Sequence, residues 1–133
     1  MKAHVLCFSL IASCCFVLGL GGCKSTETLL VGTYSVEEHG SLKELVRIAQ
    51  DGDKFTIAMK DDRVWLPSEE VEAVDEDDVN RILDAPVAGS LQGLGNSRVA
   101  VLLVHPGWKS GAFVCKTGYW MASALGPMEL HKN

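Results

Sequence analysis

The sequence lacks the local patterns by which catalytic and metal sites are usually found. His39, His105 and His131 are scattered and show no metal-binding spacing such as His-x3-His. Ser90 stands one position out of register with the Gly-x-Ser-x-Gly elbow of serine hydrolases. The glycine pair at 93–95 has no third glycine for a phosphate-binding loop. We therefore predict no enzyme activity, no metal and no cofactor.

Positive charge is also scarce. The chain has 12 Lys and Arg against 17 Asp and Glu, a net charge of −5. Because proteins bind nucleic acid largely by neutralising its phosphates, we predict no nucleic-acid partner. From Asp61 to Asp84, ten acids stand against Arg63 and Arg81.

The amino-terminal region carries the most informative pattern. Lys2 precedes an apolar run from Val5 to Leu20, and the run ends in Leu20-Gly21-Gly22-Cys23. This arrangement resembles the signal peptide of bacterial lipoproteins with its lipobox. The resemblance implies that residues 1–22 are removed and that Cys23 carries fatty acids, such as palmitate, on its sulfur and its new amino group. The alternative is an uncut transmembrane helix, since the 18 residues of 5–22 are about the minimum for a span.

The residue after the lipobox cysteine bears on location. In enterobacterial lipoproteins Asp at that place retains the protein in the inner membrane, so Lys24 implies the outer membrane, facing the periplasm. Residues 23–28 would be the lipidated Cys23 and a short tether that reaches roughly 17 Å when extended. Residues 29–133 would form a single β-rich periplasmic domain, held to the membrane by its anchor and meeting a protein partner at the membrane surface.

Cysteine usage agrees with this interpretation. Of the five cysteines, only Cys115 stays free once the signal peptide is removed and Cys23 is lipidated, so an internal disulfide is excluded. Strand alternation places Cys115 on the same face as Phe113, which favours a buried structural cysteine. A reactive or intermolecular cysteine is the alternative.

The rest of the chain is dominated by short strand patterns. Phe55, Ile57 and Met59 alternate with polar residues, and Asp51-Gly52-Asp53 before them is a hairpin signal. The run Arg98–Val104 is apolar throughout and predicts a central strand buried on both faces. The predicted strands are Leu29–Val36, Leu42–Gln50, Lys54–Lys60, Arg63–Leu66, Val71–Val74, Arg98–Val104, one strand or two over Gly111–Met121 with a bend at Gly118, and an edge strand over Met128–His131.

One helix is predicted, over Asp75–Leu83, with Asp75 as its cap and acids in its first turn. The glycine-containing segment Ala85–Asn96 predicts a mobile loop. Together these patterns predict a mainly β fold, a small antiparallel barrel or sandwich of six to eight strands with one short helix. Gly32-Thr33-Tyr34 also resembles the opening of lipocalin-like barrels, although Trp is usual where Tyr34 stands.

Two candidate binding features follow. The acids Asp75, Glu76, Asp77 and Asp78 predict either a solvated face or an electrostatic surface for a basic partner. A calcium site is weaker, because Val79 stands where the next oxygen ligand belongs. Trp108 lies in a predicted turn and is either a plug at the barrel end or a contact anchor for a partner or for lipid headgroups.

We expect a lipid-anchored binding protein, most simply an inhibitor or immunity-type lipoprotein that acts on an envelope-targeting toxin or hydrolase. That class commonly combines a lipobox, a small β-rich domain and an acidic face. The alternatives are a structural or assembly lipoprotein of an envelope complex and a carrier of a small apolar ligand. An enzyme would require His105 or His131 to lie close to a serine or an acid in a cleft.

Overall fold

A computed structural model describes residues 26–133 of the chain, so the predicted signal peptide, its predicted lipobox and Cys23 lie outside the described residues. The described part contains eleven strands and two helices. In chain order these are α1 (Thr26–Leu29), β1 (Gly32–Glu38), β2 (Ser41–Asp51), β3 (Lys54–Asp61), β4 (Val64–Trp65), β5 (Glu69–Val74), α2 (Glu76–Leu83), β6 (Gln92–Gly95), β7 (Val99–Leu103), β8 (Trp108–Ser110), β9 (Phe113–Cys115), β10 (Tyr119–Ser123) and β11 (Gly126–Lys132).

Eight of the strands form a closed antiparallel barrel, which confirms the predicted mainly β fold and selects a barrel over a sandwich. Around the barrel the order is β1, β2, β3, β5, β6, β7, β10 and β11, so each strand follows the previous one along the chain. The barrel closes where β11 pairs with β1, with Tyr34 opposite Lys132. The prediction that Met128–His131 forms an edge strand is therefore wrong, because β11 has a partner on each side.

Tight turns set the register of the first strands. His39 and Gly40 join β1 to β2 and both have positive φ, as a two-residue type I′ turn requires. Gly52, with φ of 65°, begins the turn between β2 and β3 at the predicted hairpin. Local turn chemistry thus makes these neighbours antiparallel.

The barrel interior is filled by alternate side chains of its strands. An eight-stranded barrel is just wide enough for side chains to fill it. Tyr34 is the largest of them, and its hydroxyl donates to the Leu30 carbonyl oxygen at 2.6 Å. The other buried members of this core are Leu30, Val46, Ile48, Ile57, Val71, Leu94, Val99, Val101, Met121 and Leu130.

A second core lies outside the barrel. The outer layer consists of α2, inserted between β5 and β6, and the β8–β9 hairpin, inserted between β7 and β10, and both pack on the outer faces of β7 and β10. Val99 and Val101 of β7 point into the barrel, while Ala100 and Leu102 point into the outer layer, and all four are buried. The prediction of a central strand buried on both faces is confirmed.

Two local predictions need correction. The segment Ala85–Asn96 is not a loop throughout, because Gln92–Gly95 is barrel strand β6 between β5 and β7. The structure also has two helices where one was predicted, since Thr26–Leu29 forms α1 in the segment predicted to be a tether. The Thr26 hydroxyl donates to Gln92 Oε1 at 3.0 Å, which attaches α1 to the barrel wall.

Candidate functional site

The start of α2 is held by local hydrogen bonds. Asp75 is the N-cap, and its side chain accepts a hydrogen bond from the backbone N–H of Asp78 at 3.0 Å. The Asp78 carboxylate accepts one in return from the Asp75 N–H, also at 3.0 Å. This capping box satisfies two of the backbone donors that a helix leaves unpaired at its start. Two of the four acids predicted to bind a partner, Asp75 and Asp78, therefore cap the helix.

Arg81 neutralises part of the same cluster. Its Nη2 lies 2.5 Å from Asp78 Oδ1, and its Nε donates to the Asp77 carbonyl oxygen at 3.3 Å. The pKa of Asp75 is held below its ordinary value, chiefly because the Asp78 N–H donates to the ionised carboxylate. The lowered pKa favours the ionised form of Asp75, whose charge is directed at the backbone N–H groups of the helix start.

Four other carboxylates, from the sequence just before α2 and from its first turn, do not cap the helix. Glu70 and Glu72 flank buried Val71 on β5, so their side chains lie on the outer face of the barrel. Glu76 and Asp77 follow in the first turn of α2. Within residues 26–133 none of these four carboxylates makes a hydrogen bond or an ion pair. We call Glu70, Glu72, Glu76 and Asp77 the acidic face.

A polar groove borders the acidic face. It lies between α2 and the β6–β7 turn, has a volume of about 390 Å³, and is lined by Glu72, Asp78, Arg81 and Asn96 among others. The Asn96 side-chain oxygen accepts the backbone N–H of Arg98 at 2.9 Å, which fixes the amide in the groove wall. The groove therefore offers carboxylate, guanidinium and amide groups to a partner side chain.

Trp108 lies away from the acidic face and inside the outer layer. Only 7% of the residue is exposed. Its ring stacks on Trp120, with centroids 5.2 Å apart and planes 18° apart, and meets Phe113 edge-on. The indole is neither a plug in the barrel end nor an exposed contact anchor, because the β8–β9 hairpin folds it against the outside of β10.

Trp120, which was not among the predicted site residues, is buried beside Trp108. It is 1% exposed, and its indole N–H has no hydrogen-bond acceptor among residues 26–133. It also lines a cleft of about 270 Å³ in the outer layer. The unbroken apolar run Tyr119–Ala122 indicates this burial in the sequence, since a strand that is apolar at every position is buried on both faces.

The remaining candidate groups do not converge. Cys115 is buried, as predicted, its thiol donates to the Tyr119 carbonyl oxygen at 3.3 Å, and burial raises its pKa. His39 lies in the β1–β2 turn and His105 follows β7. In the described part of the chain, neither the His105 imidazole nor the His131 imidazole makes a hydrogen bond or an ion pair with a serine or an acid side chain.

Residues 26–133 offer neither a metal-ligand cluster nor a membrane-spanning helix. They contain no cluster of three or more His, Cys, Asp or Glu side chains that could hold a metal ion. No helix among them is long and apolar enough to cross a membrane. Comparison with known proteins gives no significant match either, whether to family models, to curated proteins or to solved structures.

Proposed function

We propose that this protein is a lipid-anchored, periplasm-facing binding protein that inhibits an envelope-targeting toxin or hydrolase, in the manner of an immunity lipoprotein. The observation that carries the proposal is the acidic face, in which the carboxylates of Glu70, Glu72, Glu76 and Asp77 form no ion pair with any residue in the described part of the chain. An uncompensated patch of one sign is suited to a partner surface of the opposite sign.

Charge of this kind acts mainly on the rate of encounter. Complementary patches steer a partner during diffusion, and the effect falls as salt screens the charges over a Debye length of about 8 Å at physiological ionic strength. The polar groove beside α2 supplies the close-range contacts, because Arg81 and Asn96 are held there by neighbouring groups. The expected partner therefore carries a basic rim around its active site.

A lipid anchor on Cys23 would place this encounter at the membrane. If Cys23 is acylated, only Lys24 and Ser25 separate it from α1, which begins at Thr26 and is attached to the barrel through Gln92. Three residue steps reach roughly 10 Å at full extension. The barrel would then lie against the headgroups, where a toxin or hydrolase must pass to reach the envelope.

Affinity capture from envelope extracts, followed by kinetics with the captured protein, tests the proposal. The test variant neutralises the acidic face with Glu70→Gln, Glu72→Gln, Glu76→Gln and Asp77→Asn. We expect association with the partner to slow at least about tenfold at low salt and to lose most of its salt dependence.

The matched control removes the same number of charges elsewhere on the barrel, with Glu37→Gln, Asp51→Asn, Asp53→Asn and Asp61→Asn, all at exposed positions. This control should associate almost as fast as the parent protein. If both variants associated with the partner equally slowly, the effect would come from net charge alone, and the acidic face would no longer support the proposal. If the captured toxin or hydrolase kept its full activity in the complex, the proposal of an inhibitory function would be refuted.

The alternatives differ in what the capture would yield. Co-purification of a membrane complex would support an assembly lipoprotein, for which the exposed Val64 and Leu66 flanking Trp65 offer an apolar contact. A carrier with its ligand inside the barrel is disfavoured by the packing there of Tyr34 and Met121 among ten or so other side chains.

A further inference from the structure

An open apolar pocket lies at the end of the barrel that is remote from α1. It is bounded by the end of β3, the segment after β4 and the β6–β7 turn, and its volume is about 450 Å³. Because β3 runs in the same direction as β1, its end lies away from α1. Met59, Leu66 and Pro67 line this pocket together with Ile57 and Val99 of the barrel core. We call it the mouth pocket.

The mouth pocket does not continue into the barrel, because the interior behind it is filled. Ile57 is 2% exposed and Val99 is 9% exposed, and both pack among the other side chains of the core. Leu66 is 45% exposed, so the wall of the pocket is open to solvent. An apolar side chain that entered the pocket would release water from this wall, which is favourable. The pocket therefore fits a side chain that projects from a partner, and not a molecule enclosed by the barrel.

One carboxylate joins the mouth pocket to the polar groove beside α2. Glu69 lines the pocket and accepts a hydrogen bond at 3.1 Å from the Asn96 side chain, which lines the groove. Arg98 forms an ion pair with the same carboxylate, so the two charged residues that line the pocket neutralise each other. The pocket and the groove thus share the β6–β7 turn, and a single partner can contact both.

Carboxylates without an ion pair border the same turn. Glu72 lines the polar groove, and Glu70 directly follows Glu69 on β5. Neither Glu70 nor Glu72 forms an ion pair within residues 26–133. Charge complementarity therefore favours a partner that carries positive side chains next to the apolar side chain that enters the pocket.

We propose that the mouth pocket takes one large apolar side chain from a projecting loop of the protein partner, and that Lys or Arg side chains beside it in that loop meet Glu70 and Glu72. This inference rests on the proposed function, since it names the segment of the partner that the surface recognises. A cavity of about 150 Å³ accommodates benzene, so about 450 Å³ is ample for one such side chain. Side chains that fill a pocket in this way commonly supply much of the binding energy of an interface.

Two pentapeptides with blocked ends probe the pocket without the partner. They are acetyl-Lys-Lys-Leu-Lys-Lys-amide and acetyl-Lys-Lys-Ser-Lys-Lys-amide. The full chain is held in nanodiscs of phosphatidylcholine, which has no net charge, and its Ile, Leu and Val methyl groups are labelled with ¹³C. We expect the leucine peptide to shift the methyl signals of Ile57 and Val99 in a saturable way. The serine peptide should bind at least about tenfold more weakly, because it has no apolar side chain to bury.

A third peptide tests the positive flanks. In acetyl-Glu-Glu-Leu-Glu-Glu-amide the leucine is kept and the sign of the flanking charge is reversed. At low salt this peptide should bind at least about tenfold more weakly than its lysine counterpart, and the difference should shrink as the salt concentration rises.

Two matched variants locate the binding. Leu66→Ser removes an exposed apolar wall of the pocket and should weaken binding of the leucine peptide at least about fivefold, with Ile57 and Val99 still available as reporters. Leu42→Ser makes the same change on β2, where Leu42 is 58% exposed and does not line the pocket. That control should bind the leucine peptide as tightly as the parent protein.

Several results would overturn the proposal. Equal binding of the leucine and serine peptides, or Ile57 and Val99 signals that do not move, would show that no apolar side chain enters the pocket. Undiminished binding to Leu66→Ser would place the binding elsewhere, and equal binding of the lysine and glutamate peptides at low salt would refute the positive flanks. These peptides replace the partner, so their failure is distinct from a failure to capture or inhibit an envelope protein.

Discussion

Replacing Gly93 with alanine should strongly destabilise the barrel, because β6 and β7 approach each other closely at this position. A Cβ on Gly93 would stand 2.3 Å from the Val101 carbonyl oxygen and 2.6 Å from Leu102 Cδ2. Gly93 does not have positive φ, so the effect is steric and owes nothing to backbone strain. The carbonyl belongs to a paired strand and cannot rotate away.

The size of the effect follows from that geometry. The two strands would have to separate by about 1 Å for the Cβ to move from 2.3 Å to the 3.4 Å at which ordinary contact begins. Overpacking of a core costs about 1–3 kcal/mol, and each weakened β6–β7 hydrogen bond adds about 1 kcal/mol. We expect a loss of about 3 kcal/mol in the free energy of unfolding, or about 15 °C in Tm for a domain of this size.

Urea and thermal unfolding followed by circular dichroism measure this loss. Gly89→Ala is the control, because a Cβ on Gly89 meets nothing within 4 Å and only its φ of +74° opposes alanine. That variant should lose about 1 kcal/mol. If the segment 85–96 were a mobile loop throughout, Gly93→Ala would be neutral or stabilising by about 0.4–1 kcal/mol. A Gly93→Ala protein as stable as its parent, or more stable than Gly89→Ala, would refute the close approach of the two strands.

Three further predictions concern titratable side chains. Asp75→Ala should weaken α2, and Asp75→Ser should restore most of the loss because serine also caps a helix. Folding lowers the pKa of Asp75, so the difference in unfolding free energy between the parent protein and Asp75→Ala should be complete above the ordinary pKa of 3.8. It should shrink as the pH falls through the lowered pKa. A difference that stays constant through the acid range would contradict this prediction. Burial raises the pKa of Cys115, so its thiol should react with iodoacetamide only as fast as the protein unfolds. Peptide mass spectrometry measures the labelling, and rapid labelling of the native protein would show that the thiol is accessible to solvent. Burial raises the pKa of Tyr34, so its contribution to stability should be complete below the ordinary value of 10.0 and be lost as pH rises beyond it; in an alkaline absorbance titration Tyr34 should ionise with unfolding, not before.

The hairpins and the helix start could be predicted from sequence because their causes are local. Asp51-Gly52-Asp53 forms the β2–β3 turn, and Asp75 caps α2, as the residue types alone indicated. Each of these features depends on groups within four residues of one another. The same holds for the alternation of Phe55 and Ile57 with polar neighbours.

The candidate sites could not be predicted in the same way. The four acids from 75 to 78 look equivalent in sequence, yet the side chains of Asp75 and Asp78 cap the helix, while those of Glu76 and Asp77 make no hydrogen bond or ion pair in the described part of the chain. Trp108 looks like an exposed turn residue, yet it is buried by a contact with the outer face of β10. The environment of these side chains depends on how the helix and the strands pack together, which the local sequence does not show.

Sequence by itself therefore determined that the chain forms short antiparallel strands, one capped helix and a central strand buried on both faces, since periodicity and capping act between near neighbours. Only the tertiary structure decided that the sheet closes through β11 and β1, that Gly93 belongs to a barrel strand and that Trp120 is enclosed by an outer layer. The physical reason is that strand alternation separates the two faces of a strand but does not reveal what covers the second face, which is fixed by segments far away in the chain.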